Sequence, residues 1–207
     1  MRVSKERAVQ NRHDILTAAA RLFREQGISA TGVDSITEDA GLTHGAVYSQ
    51  FGSKEVIAAE AVRLALARSK HLWDRMAERR GRKKVFPAIV AQYLSPIHRD
   101  AAGHGCVVAA LGSEIARQPS AVRDAFTQEF KNSLEFLADL MRENNPSHND
   151  EDAIAAFASM VGALILARAV DDETLSDRIL KSTAKRVIRS AKARRPLRRS
   201  RAMAGRR

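Results

Sequence analysis

The residues of this chain best suited to chemistry sit close together: His44, Gly45, Tyr48 and Ser49. An imidazole and two hydroxyls donate and accept hydrogen bonds, and a glycine lets another surface come near. That set suits base edges and phosphate oxygens rather than bond breaking. Thr31, Val33, Thr43 and Lys54 flank it. A second cluster, His98, His104 and Cys106, contains the sole cysteine. Cys106 follows Gly105 at an expected helix N-terminus, where a thiol pKa can fall. The opposing reading is a small buried hydrophobe, the common fate of a free cysteine. Two His and one Cys, with no fourth partner at a usual spacing, form a weak metal set, so neither metal nor cofactor is expected. With no phosphate loop and no nucleophile elbow, the chain reads as a non-enzyme.

Residues 31–54, TGVDSITEDAGLTHGAVYSQFGSK, must position the first cluster. Thr31 and Asp34 make a capping-box pattern, with Val33, Ile36 and Ala40 on one helical face. Gly41 supplies a left-handed stop, and Thr43 starts a second helix with Ala46, Val47 and Phe51 turned inward. Two short helices joined by a glycine turn make a helix-turn-helix, whose second helix enters the DNA major groove. The pattern alone also admits a plain helical hairpin in an all-α core. The stretch has three acidic residues (Asp34, Glu38, Asp39) against one basic residue, Lys54. It can supply fit and base choice, but not bulk attraction.

From Ile15 to Ile57, ILTAAARLFREQGISATGVDSITEDAGLTHGAVYSQFGSKEVI resembles the N-terminal domain of the TetR (tetracycline-repressor-like) transcriptional regulators. The Ala-rich helix ending in LFREQG, the TGVDSITEDAGL helix and turn, HGAVYSQF and the following SKE carry the likeness. Gly32, Ser49 and Gln50 depart from the usual residues at their positions. The resemblance implies phosphate contacts from Thr31, Thr43, Tyr48 and Lys54. It implies base contacts from His44, Gly45 and Ser49, and a thymine-methyl or sugar contact from Val33. It further implies a homodimer that represses from a palindromic DNA operator and is released by a small-molecule effector or by thiol modification; a cytoplasmic location is expected separately, from the lack of a spanning apolar run and of a cleavable signal. Cys106 is the candidate redox sensor.

Composition agrees with an all-α fold of about nine helices: 44% of the 207 residues are hydrophobic, few are aromatic, and β-branched runs are absent. No apolar run of spanning length stands out, so no membrane is expected. The net charge of +11 is unevenly spread. Residues 61–84 carry +7, residues 85–184 carry −6, and residues 185–207 alone carry +11. The expected division is a helix-turn-helix domain over 1–52, a helical effector-binding and dimerisation domain over 53–192, and a basic, disordered tail over 193–207. An alternative function follows from that tail: a nucleoid-type protein holding DNA without sequence preference.

Helices are expected at about 8–26, 54–76, 83–95, 106–118, 119–143, 150–170 and 174–192, with RRGRKK (79–84) and HRDAAGHG as loops. The segment 153–170 is apolar nearly all the way round, as a helix buried on several sides must be. The resemblance makes 150–192 the homodimer surface. Trp73, Met76, Phe86, Tyr93, Phe126 and Phe130 are candidates for the effector pocket, although an aromatic stripe at helical spacing is core by default.

Overall fold

A computed structural model describes residues 4–192; the expectation for the 193–207 tail lies outside them. The described residues form ten α-helices and one 3-10 turn, with no strand among them. The first four helices are α1 (Lys5–Gln26), α2 (Val33–Asp39), α3 (His44–Phe51) and α4 (Lys54–Arg80). Then come α5 (Arg82–Tyr93), α6 (Pro96–Asp100), α7 (Val107–Ile115), α8 (Ser120–Asn144), α9 (Asp150–Ala169) and α10 (Glu173–Lys192).

Local chemistry explains most boundaries. Ser4 caps α1 by accepting the Arg7 N–H at 3.2 Å, and Ser53 caps α4 by accepting that of Val56. Asn149 and Asp152 form a reciprocal capping box at α9. Two expected loops are helical. The basic run 79–84 is broken only at Gly81, with helix on both sides and Arg79 and Arg80 suitably placed in the last turn of α4. The start of the expected loop HRDAAGHG, His98–Asp100, belongs to α6, begun by Pro96 at a first-turn position and by the Ser95 hydroxyl accepting the His98 N–H, and Ala102–His104 form the 3-10 turn. Helix α6 makes the tenth among the described residues.

The apolar side chains form two cores. Ile15, Ala19, Leu22 and Phe23 of α1 meet Ile36, Val47, Phe51 and Ile57 in the first. Val107, Leu111 and Ile115 of α7 and Val122 and Ala125 of α8 complete it. The second gathers Trp73, Phe86, Ile89, Leu137, Leu140, Met160, Leu164 and Leu180 from α4, α5, α8, α9 and α10. Each fully buried Ile, Leu or Phe contributes about 1.5–3 kcal/mol. The long helices α4 and α8 run through both cores.

Helix α9 buries Ala153, Phe157, Met160, Leu164 and Ala167 but leaves Ile154, Ile165 and Leu166 between 44% and 57% exposed. A Cβ on Gly162 would meet nothing within 4 Å. By length and composition α9 could cross a membrane, with mean hydropathy 1.6 in its most apolar window. That corrects the expectation that no apolar run reaches spanning length. Its inner side packs in the second core, and the acidic turn Asp150–Asp152 caps its start.

Candidate nucleic-acid interface

Helix α3 is seated by Val47 and Phe51, both buried, and by Arg12 of α1. The Arg12 guanidinium donates to the Gln50 carbonyl at 2.9 Å, grips the Glu60 carboxylate at 2.5 and 2.6 Å, and lies 4.2 Å over the Phe51 ring. Arg12 therefore acts as a clamp on α3. Opposite this anchored side, Thr43, His44, Gly45, Tyr48 and Ser49 all face solvent. Space beside Gly45 is open, with nothing within 4 Å of a Cβ built there. His44 Nε2 lies 2.9 Å from Asp34 Oδ1, which brings α3 against α2. Its ring also rests 4.9 Å from that of Tyr48. The Ser49 hydroxyl donates to Ala46 O at 3.0 Å and keeps lone pairs free.

The flanking residues divide. Thr43 sits at the N-cap of α3 without making a side-chain cap bond, so its exposed hydroxyl is available. Lys54 Nζ donates to Ser29 O at 3.2 Å, and Val33 is half-buried against the first core. Thr31 is a correction: it is 0% exposed, and its hydroxyl donates to Gly27 O at 2.7 Å. It caps nothing, because Gly32 is the N-cap of α2, and it cannot reach a phosphate. Capping patterns do not register whether the residue lies inside or outside the core.

Away from α3, a cavity of about 260 Å³ opens between α4, α5, the α6 region, α8 and α9. Of the six expected pocket residues, Trp73 and Tyr93 line it; Met76, Phe86, Phe126 and Phe130 do not. Phe86 is core, while Phe126 and Phe130 stack on one another at 5.5 Å. The walls also include Leu72, Gln92, Ile97, Ser133 and Phe157, together with His98, His104 and Cys106. Proximity of HRDAAGHGC to the aromatic helices was not visible in the pattern, since nothing in it tells where a loop folds back.

His98 holds that loop. Its Nδ1–H donates to Tyr93 O at 2.6 Å and its Nε2 accepts the Cys106 N–H at 2.9 Å, which fixes the neutral tautomer. No group of three or more metal-ligating side chains occurs among the described residues. Burial lowers the His98 pKa below its ordinary value, outweighing the Tyr93 carbonyl. Its contribution to stability is thus complete above about pH 6.5 and is lost as pH falls through the depressed native value. The melting temperature should drop between pH 7.5 and 5.5 by more in the native chain than in His98→Ala. Parallel curves would remove His98 from the account. Burial pushes the Cys106 thiol up, more than the nearby Tyr93 hydroxyl and the backbone at Ala109 and Val108 bring it down. This is opposite to the lowered pKa expected at a helix start; Cys106 is a buried, neutral thiol.

Residues 15–61 match the family model for bacterial regulatory proteins of the tetR family, and residues 86–183 match the tetracyclin repressor-like C-terminal domain. The chain belongs to the TetR family. It is a DNA-binding transcriptional regulator and not an enzyme. An uncharacterized HTH-type transcriptional regulator of Mycobacterium tuberculosis, Rv0196, is 26% identical over 80% of this chain and 88% of its own length. The HTH-type transcriptional regulator AcrR of Shigella flexneri is 41% identical over 59 residues, 28% of this chain and 27% of that protein. Among solved structures, a TetR-family regulator from Cytophaga hutchinsonii superposes with TM-score 0.75 at 19% identity, over 91% of this chain and 97% of that one. Reduced E. coli NemR superposes with TM-score 0.70 at 17% identity, over 86% and 94%. TetR-family regulators bind DNA operators and act as dimers with small-molecule effectors.

Proposed function

We propose that this TetR-family chain is a repressor that works as a homodimer through α9 and α10, reading a palindromic operator with α3. The observation that carries the reading is the outward face of α3, where Thr43, His44, Gly45, Tyr48 and Ser49 stand clear of the core. A dimer places two such helices about one DNA turn apart, roughly 34–36 Å. The 260 Å³ cavity is the effector site in this reading, because its walls join α4 to α8 and α9. A ligand preferring a wider spacing of the two α3 helices then shifts the population toward release.

Selection of binding sites from random DNA should return an inverted repeat, and a collection without consensus would favour the nucleoid-type alternative. Against a panel of operator variants, Tyr48→Ala should weaken binding to all sequences by a similar factor. His44→Ala should flatten discrimination at one or two positions, worth about 1–3 kcal/mol each. Uniform losses for His44→Ala across the panel would remove its base-reading role.

A further inference from the structure

A second cleft, of about 560 Å³, lies between α1 and α4 and adjoins the cavity, since Ser69, Leu72, His104 and Gly105 line both. The two spaces differ in character. Lys, Arg, Asp and Glu are all absent from the cavity lining, which is aromatic and aliphatic with scattered hydroxyls and imidazoles. The cleft carries Arg21, Arg24, Arg68 and Arg75 against a single carboxylate, Asp39. Arg21 is already neutralised by Glu25 and Asp39. The other three arginines are not. Arg24 spends its Nε and Nη2 on one neutral acceptor, the Gly103 carbonyl. Burial, and then repulsion from Arg68, lower its pKa to about 10, with Glu25 and Cys106 only partly offsetting them. Among the described residues, the guanidinium groups of Arg68 and Arg75 have no hydrogen bond or ion-pair partner. They stand on one face of α4 at i and i+7, with the exposed Leu72 between them at the seam of the two spaces.

We propose that the effector is an amphipathic anion, its apolar body among Trp73, Phe157 and Leu72 and its carboxylate or phosphate head against Arg24, Arg68 and Arg75. This rests on the effector reading of the cavity given above. A head group there supplies the missing counter-charge and competes with Gly103 for Arg24, which lies in the last turn of α1. An apolar chain alone gains only the cavity.

Trp73 is the only tryptophan and lines the cavity, so its emission reports occupancy in the full-length protein. Decanoate, decyl phosphate and 1-decanol are titrated against the native chain and the Arg68→Ala/Arg75→Ala variant, whose altered positions are exposed. The expected result is saturable quenching by decanoate, decyl phosphate or both, at least tenfold tighter than by decanol. The variant should lose about tenfold for the anions and nothing for decanol. A preference between the two anions identifies the head group. Equal affinity for decanol and the anions, no quenching by any probe, or unchanged anion affinity in the variant overturns the proposal. So does loss of operator binding by the ligand-free variant, which would make these arginines DNA contacts. Operator release is scored separately on the same samples by fluorescence anisotropy of labelled DNA. Anion-selective quenching without release upholds the ligand class and rejects the effector reading.

Discussion

Leu166→Asp is expected to sediment as a monomer with undiminished helicity, and to lose operator affinity by roughly 10²–10⁴-fold. Leu166 is 57% exposed on α9, so an aspartate there costs the single chain little. In a dimer formed through α9 and α10 the same carboxylate is desolvated against Ile154, Ile165 and their copies, with no cation of α9 nearer than Arg168 to offset it. Losing the dimer converts two tethered half-site contacts into two independent ones, which accounts for the size of the drop. Sedimentation velocity, circular dichroism and DNA titration together check it. A dimeric Leu166→Asp with full affinity would place the interface elsewhere.

The second large effect is at Gly27. Its φ of 92° and ψ of 155° lie where only glycine is at ease, at a cost of about 1–3 kcal/mol for any other residue. A Cβ there would also lie 2.9 Å from Glu114 Oε2. That carboxylate, from α7, accepts the Ile28 N–H at 2.9 Å and the Ser29 N–H at 2.6 Å. Partial burial works to raise its pKa, but bonds from Ser29 and Ile28 outweigh it and hold Glu114 below the usual carboxylate range. Gly27→Ala therefore strains the backbone and pushes away the group that orders the approach to α2. We expect a loss of about 2–5 kcal/mol, read as a fall in melting temperature of roughly 5–15 °C. Glu114→Gln should cost less, and the double variant less than the sum, because both act on one contact. Strict additivity would show that Gly27 acts through its backbone alone.

These two sites also mark what the sequence disclosed. The stripe of Ile15, Ala19, Leu22 and Phe23, the Gly41 stop and the outward set on α3 were legible, because helical periodicity and turn chemistry act over a few residues. The apolar surplus of residues 153–170 was legible too, and it persists as the exposed Ile154, Ile165 and Leu166. The bond from Glu114 to the loop after α1 was not, since 85 residues separate the partners. Thr31 looked like a cap and is core: tertiary packing claimed a polar group that local pattern had assigned to the surface. The cavity was half found: Trp73 and Tyr93 follow from helix faces, whereas His98, His104 and Cys106 arrive by a fold-back whose geometry depends on one imidazole bonded at both nitrogens.

The first core has a consequence for recombination. Val107, Leu111, Ile115, Val122 and Ala125 close over the underside of α1 and α4, so the DNA-reading part owes a wall to residues far downstream. A chimera spliced after α4, with another regulator's sensor half attached, would expose that wall unless the donor supplied matching side chains at these five places. On the proposed reading of α3, exchange of operator preference between relatives is best confined to its outer face, where His44, Gly45, Tyr48 and Ser49 can be rewritten without touching the masonry beneath.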